Sequence, residues 1–346
     1  MSAINGAEAL VRKVLDGGWR VVQRDEPPEG ATGGYFSVGY LVEGPDGKKG
    51  YLKALNFAKV LGYEGGPEAL QAMIEAFNFE RNLLQRCERQ RMRRIVRALD
   101  SGQVHVEGAT YPDVYYLIFE KAEMDARRFM LTMSAIDTAW ALRTLHCMAI
   151  ALNQLHGSGV AHQDMKLSNV FVFAMDRPKL GDLGRCAARD MPAPHDDFAI
   201  KGFPPNAPLE LLYGAVPTDW EQRHLACDLY LLGSLASALF LGIAMTPAIQ
   251  EVIEDSHRFD RWSGTYQQVL PHVRHAFGQV VHELGAHVHP ALRAELMELV
   301  RYLCDPDPTF RGHPLDRAGA GSNYGLQRFV SRFDVLAKRA EYGLYT

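Results

Sequence analysis

Paired cysteines are missing from this sequence: Cys87, Cys147, Cys186, Cys227 and Cys304 lie scattered over 346 residues. No C-x-x-C pair occurs, so neither a zinc site nor a disulfide framework is indicated, and isolated thiols fit a reducing, cytoplasmic setting. An excess of one charge is missing too. The formal net charge of -4 gives no general pull toward nucleic acid or an anionic membrane. The opening stretch, MSAINGAEALVRKVLDGG, has no apolar region of the secretory kind and reads as a short helix. Internal repeats and low-complexity tracts are also absent, which argues against solenoids and disordered arrays.

Long apolar runs are nearly absent. The exception is Leu229 to Met245, LYLLGSLASALFLGIAM. It is short for a bilayer crossing and lacks flanking Lys/Arg anchors, so a buried helix of a large globular unit is the expectation. With 47% hydrophobic and 23% charged residues, the chain has an ordinary globular composition. Its length leaves room for more than one folding unit.

The first 120 residues read as mixed α/β. Strands are expected at Trp19–Arg24 and Phe36–Val42, joined through the glycine-rich EPPEGATGGYF, and at Lys49–Leu55 after a Gly44-Pro45-Asp46-Gly47 turn. A helix is predicted over Pro67–Arg89, with apolar positions Ala72, Ile74, Phe77, Leu83 and Leu84. Further strands are expected at Ile95–Val106 and Tyr115–Phe119. Beyond about residue 125 helical patterns dominate: Ala135–His156, His224–Gly242, Pro290–Cys304 and Tyr324–Ala340. The exception is Val160–Gly184, where short β-rich pieces surround polar residues. The class is therefore α+β, a small β-rich part followed by a larger helical one, with the boundary near Lys121–Asp125.

The polar residues of that exception carry the chemistry. Phosphoryl transfer needs a cation near a triphosphate, hard oxygen ligands for Mg²⁺, and a carboxylate that aligns the attacking hydroxyl. The segment His162-Gln-Asp-Met-Lys-Leu-Ser-Asn169 supplies a candidate base in Asp164, a cation in Lys166 and a metal-ligating carbonyl in Asn169. Asp182 comes after a strand-like PKL and is flanked closely by Gly181 and Gly184, which lets its carboxylate reach into a cleft. Upstream, Lys53 stands in the middle of an apolar strand, YLKAL; taken alone it reads equally well as an edge-strand lysine reaching to water.

Together these segments resemble the protein kinases of the serine/threonine type. HQDMKLSN is similar to their catalytic loop, H-R-D-L-K-x-x-N, and Asp182-Leu-Gly to their D-F-G. Pro208-Leu209-Glu210 stands where the family carries A-P-E. Asp228-Leu-Tyr-Leu-Leu-Gly233 resembles its buried D-x-W-x-x-G helix start, and Asp305-Pro-Asp-Pro-Thr-Phe-Arg311 its D-P-x-x-R element. The resemblance implies a bilobal kinase fold: an N-terminal helical extension over 1–18, an N-lobe over 19–122 and a C-lobe over 123–346, with 246–290 as an insertion. It implies ATP and Mg²⁺ as cofactors. Lys53 would hold the α/β-phosphates with Glu80 as its partner, Glu75 being the other candidate. Gly33 and Gly34, with Gly30, would represent the glycine-rich loop, and the adenine would lie against Phe119, Glu120 and Ala122. Asn169 and Asp182 would hold the metal, Asp164 and Lys166 would serve catalysis, and Arg311 would pair with Glu210 in the interior.

Three departures from the family pattern stand out. Gln163 replaces the arginine of H-R-D, which in the family often reads a phosphate on the activation segment. Between Asp182 and Glu210 there is no Ser, Thr or Tyr. Phe203 takes the place of the threonine in G-T-P-x-Y. The expectation is a serine/threonine protein kinase that is not controlled by phosphorylation of its own activation segment. The expected partners are a protein substrate and a regulatory protein, with no membrane and no nucleic acid. Two alternatives stay open: a binding or scaffolding pseudokinase, and a kinase-fold phosphotransferase with a non-protein substrate. The arginines Arg86, Arg89, Arg91, Arg93, Arg94 and Arg97 read as a solvated helix end, against an acidic docking site or nucleic-acid contact. His257, His272, His275, His282, His287 and His289 read as ordinary histidines rather than metal ligands.

Overall fold

The computed structural model describes residues 4–26, 36–59, 66–174 and 176–344. Its contacts divide the chain into two compact units, Met1–Glu123 and Met124–Thr346. The first is β-rich with one long helix, the second mainly helical, so the α+β class read from the sequence is the observed one.

The first unit is built on an antiparallel sheet in the order β1-β2-β3-β5-β4. Its strands are β1 (Arg20–Asp25), β2 (Ser37–Glu43), β3 (Lys49–Leu55), β4 (Ala98–His105) and β5 (Asp113–Glu120). In β2 and β3 buried and half-exposed positions alternate, as a period of two requires of a sheet with one covered face. The helix α1 (Gly66–Arg89) comes after β3. At and beyond its end Arg89, Arg91, Arg93 and Arg97 are exposed, as a solvated helix end requires.

The segment before β1 departs from the expected helix. Among its described residues only two short 3-10 turns form, Gly6–Glu8 and Asp16–Gly18, and the chain is pinned across the sheet instead. Ile4 bridges Ala109, and Val14 bridges Arg20. The Tyr40 hydroxyl donates to the Ala7 carbonyl at 2.6 Å, and Asn5 Nδ2 to Asn56 Oδ1 at 3.1 Å. Ala7, Leu10 and Leu15 thereby join Trp19, Tyr40, Leu52, Tyr116 and Ile118 in one apolar core. These residues are part of the first unit rather than an appended helix. Their apolar side chains fit a helical stripe and a sheet cover alike, and packing against the sheet decides between the two.

The second unit opens with β6 (Met124–Asp125), α2 (Ala126–Leu131), α3 (Thr138–Gly157) and β7 (Val160–Ala161). The hairpin β8 (Val170–Phe173) and β9 (Asp176–Leu180) joins β6 in a small sheet, and β10 (Ala187–Ala188) pairs with β7. Then come α4 (Leu209–Leu212), α5 (Ala226–Phe240), α6 (Met245–Val252), α7 (Tyr266–Ala286), α8 (Pro290–Cys304), α9 (Pro314–Arg317) and α10 (Gln327–Glu341). The expected helix over 135–156 is observed as α3, which starts at Thr138 because Asp137 caps it through its carboxylate; α2 is a separate short helix before it.

Every residue of α5 is buried. Gly233 lets α8 approach it closely: a Cβ there would lie 2.9 Å from Cβ of Leu303. The apolar run Leu229–Met245 is thus the central helix of this unit, broken where α5 gives way to α6 at a 74° bend. Among the described residues no single helix is long and apolar enough to cross a membrane. Residues 246–290 fold into α6, a turn and α7, in which His257 and His272 stack with ring centroids 3.7 Å apart. No group of three or more His, Cys, Asp or Glu able to hold a metal occurs among the described residues.

The interior ion pair implied by the family resemblance is present. Arg311 and Glu210 form a two-pronged pair at 2.6 Å and 2.6 Å, both side chains buried. Arg311 also donates to the Asp305 carbonyl at 2.8 Å and lies over the Tyr230 ring. Such a pair matters most when one partner is lost, because a buried charge is then stranded.

The N-terminal packing predicts the effect of truncating Leu10, which is fully buried. Leu10→Ala should lower the unfolding free energy by about 2–5 kcal/mol, read by urea titration. A change under about 0.5 kcal/mol, the range of exposed positions, would mean that this segment does not belong to the core.

Candidate active site

The segment between β7 and β8 is held by a carboxylate below it. Asp228, in the first turn of α5, is fully buried. It accepts from the backbone N–H of His162 at 2.7 Å and of Gln163 at 2.8 Å, from Gln163 Nε2 at 3.1 Å and from His156 Nε2 at 2.9 Å. Burial pushes its carboxyl up, but the hydrogen bond and charge of His156, with His162 and the Gln163 N–H, outweigh that and hold it below its ordinary value. The two backbone bonds secure a turn in which Gln163 has φ 66°, a left-handed conformation that a non-glycine residue adopts only when its surroundings impose it.

His162 relays this anchoring to the next strand. Its Nε2 hydrogen bonds to the Gly181 carbonyl at 3.0 Å, while Nδ1 accepts from the Asp164 N–H at 3.3 Å. Gly181 in turn donates its N–H to the Asn169 carbonyl at 2.9 Å. The β8–β9 hairpin, with Val170 opposite Leu180, completes the link. Asp182, directly after Gly181, is thereby set beside Asn169. It too is left-handed, at φ 59°, and it is exposed.

Asp164 is buried and its carboxylate is oriented from three sides. Oδ2 accepts from Lys166 Nζ at 2.8 Å and from Asn169 Nδ2 at 3.0 Å, and Oδ1 from the Phe203 N–H at 2.8 Å. Asn169 donates to the Asp164 carbonyl as well, at 2.8 Å, so its amide oxygen is turned away from Asp164. That oxygen and the Asp182 carboxylate are hard-oxygen donors of the kind that Mg²⁺ takes from a protein. The donor set fits the metal.

In the first unit Lys53 and Glu80 make an ion pair at 3.1 Å; Glu80 is buried and Lys53 partly exposed. Glu75 is not the partner: it is exposed and accepts from Gln71 at 2.8 Å. Lys53 pairs across the sheet with Leu117, on the strand that ends in Phe119 and Glu120. The Glu120 side chain accepts from the Arg97 N–H at 2.8 Å, and the Ala122 carbonyl from Lys121 Nζ at 3.0 Å. Gly30, Gly33 and Gly34 lie outside the described residues. The candidates thus fall into two sets, Lys53, Glu80, Phe119, Glu120 and Ala122 in one unit and Asp164, Lys166, Asn169 and Asp182 in the other.

Sequence reasoning did not single out His224, Lys201, Asp196 or Arg223. His224 lies in the π-turn Glu221–Leu225 that precedes α5. Its Nδ1 donates to Gln163 Oε1 at 3.0 Å, and its carbonyl accepts from Gln163 Nε2 at 2.8 Å. Gln163 is therefore turned into the interior. The only hint in the sequence was that a glutamine there could not serve as the family's cation.

Residues 59–314 match the family model of the protein kinase domain. The matched stretch contains Glu80, Asp164, Lys166, Asn169, Asp182, Glu210, Asp228 and Arg311 and begins after Lys53.

His224 makes the stability of this site depend on pH. Burial, and then Lys201 and Arg223, push its imidazole down to about 4. An unfolded histidine titrates near 6.5, so below that pH the unfolded chain takes up a proton that the fold excludes. Stability from this group is complete above about pH 6.5 and declines toward about pH 4, by on the order of 3 kcal/mol. His224→Gln should flatten most of that decline in urea titrations across this range. An unchanged slope would contradict the assignment.

Proposed function

Because the chain belongs to the protein kinase family, we propose that it transfers the γ-phosphate of ATP to serine or threonine hydroxyls of a protein substrate, without control by phosphorylation between Asp182 and Glu210. Phosphotransferase activity is given by the family. The observation that carries the finer reading is the Asp164 carboxylate, aligned by Lys166, Asn169 and the Phe203 N–H, with Asp182 tied beside Asn169 through Gly181.

In this reading Asp164 accepts a hydrogen bond from the substrate hydroxyl, aligns its oxygen on the γ-phosphorus and takes the proton as the new P–O bond forms. The bond between that phosphorus and the β–γ bridging oxygen breaks, and ADP leaves. Lys166 offsets charge on the transferring group, and its place two residues after Asp164 supports serine/threonine over tyrosine substrates. Lys53, held by Glu80, binds the α/β-phosphates. Asn169 and Asp182 would hold Mg²⁺, which when bound would supply charge neutralisation at the phosphates. Nearly all of the catalysis is positioning and electrostatics.

Independence from activation-segment phosphorylation rests on two features. The segment contains no hydroxyl side chain, and Gln163 is committed to His224 and Asp228. A cytoplasmic location is part of the same reading.

Labelled-ATP transfer with Mg²⁺ tests the proposal, comparing wild type, Asp164→Asn and Asp182→Asn on a generic protein substrate. Label should appear on serine or threonine and fall by at least about 10³-fold in both variants, as expected when a reacting group's alignment is lost. Label on tyrosine would overturn the substrate class, and retained turnover in both variants would overturn the site. Nucleotide binding with no transfer would favour the pseudokinase.

A further inference from the structure

Between Ala193 and Phe203 the chain forms only turns and bends, yet it is fastened at many points. Asp196 is at the centre. One carboxylate oxygen accepts from the Ala193 N–H at 2.7 Å, and the other is ion-paired with Lys201 Nζ. The Asp196 carbonyl accepts from Arg223 Nη2 at 3.3 Å, and the same nitrogen donates to the Phe198 carbonyl at 3.0 Å. His195 Nε2 bonds to the Cys186 carbonyl at 2.9 Å.

Lys201 is the unusual member. Its side chain is only 2% exposed, and no other lysine among the described residues is buried. An ammonium group gives up water at that depth only for a close anion. Asp196 is that anion: burial pushes its carboxyl up, but the Ala193 N–H and Lys201 outweigh this and keep it ionised.

The two residues after Lys201 both touch the catalytic carboxylate. Gly202 passes so near that a Cβ there would lie 2.9 Å from Asp164 Oδ1 and 3.1 Å from its Cα. Phe203 then donates its N–H to Asp164 Oδ1, and its ring lies 5.1 Å from the Lys166 ammonium. Lys201 is thus two residues from a direct bond to Asp164.

We propose that the Asp196–Lys201 ion pair is a positioning device for phosphoryl transfer, a built-in anion and cation that hold Gly202 and Phe203 against Asp164. It rests on the kinase reading above and extends it by naming what takes the place of a phosphate. The anion is encoded as an aspartate, and the cation that meets it comes from the segment itself. Arg223, in the π-turn before α5, grips the same loop by its carbonyls. The site is therefore set as soon as the chain folds.

The test compares wild type with Asp196→Asn, Lys201→Met, the double variant and the conservative Lys201→Arg, by steady-state transfer and by amide exchange. Asp196→Asn and Lys201→Met should each lower kcat by about 10- to 100-fold, the scale of an ångström-level misplacement, with KM for ATP changed less than about twofold. The double variant should be no worse than either single one, and Lys201→Arg should recover most of the loss. The Phe203 amide should exchange faster in both single variants while the amides of α5 stay protected. Unchanged kcat, additive losses, or a Phe203 amide as protected as in wild type would overturn the proposal. If Lys201→Met does not fold, Asp196→Asn decides alone. Should the wild type transfer no phosphate at all, the kinase reading fails on that result. The exchange measurement then still decides whether the pair holds Phe203 in place.

Discussion

The carboxylate of Asp228 is fully buried at the start of a helix that is itself buried along its whole length, and it accepts two backbone and two side-chain hydrogen bonds. Those bonds compel the left-handed turn at Gln163, since the N–H groups of residues 162 and 163 can converge on one carboxylate only if the chain turns sharply there. From that turn a series of direct contacts leads outward. His162 holds the Gly181 carbonyl, the Gly181 N–H holds Asn169, and Asn169 holds Asp164. The acidic groups that matter for chemistry are therefore positioned through backbone groups, the His162 imidazole and the Asn169 amide, with Lys166 adding one more bond to Asp164.

The same anchor accounts for the departure at Gln163. The Gln163 amide satisfies the Asp228 carboxylate and the His224 carbonyl through its NH2 group and the His224 ring nitrogen through its oxygen. Burial and the nearby cations Lys201 and Arg223 disfavour the charged form of His224 at this position. With residue 163 facing inward, the segment that reaches Asp164 is fastened by its own ion pair and by Arg223. The two arrangements are complementary, and both leave the Phe203 N–H on Asp164.

Much of this was legible in the sequence, for physical reasons that differ by residue. The residue types and spacing from His162 to Asn169, and then to Asp182, reflect a chemistry that tolerates few substitutes, so their proximity could be read directly. The strand Lys49–Leu55 and the helix Pro290–Cys304 were read with their observed limits because turns and a proline punctuate them. The N-terminal segment was misread as a helix because its apolar residues suit two kinds of packing. The helix Tyr266–Ala286 was missed because its many histidines obscured an apolar face formed by Val269, Val273, Val280 and Leu284. Lys201 was invisible for another reason: nothing in a lysine's neighbours in sequence announces that it will be buried against an aspartate five residues away.

Hydrogen exchange of the His162 and Gln163 amides in Asp228→Asn tests the central claim most directly. The substitution preserves shape but turns an amino group toward donors that need an acceptor. Both amides should lose their protection, and the unfolding free energy should fall by about 3–5 kcal/mol, the range for stranding one partner of a buried charged network. Amides as protected as in wild type, in a variant of undiminished stability, would contradict the account, because the turn that sets Asp164 would then owe nothing to the buried carboxylate.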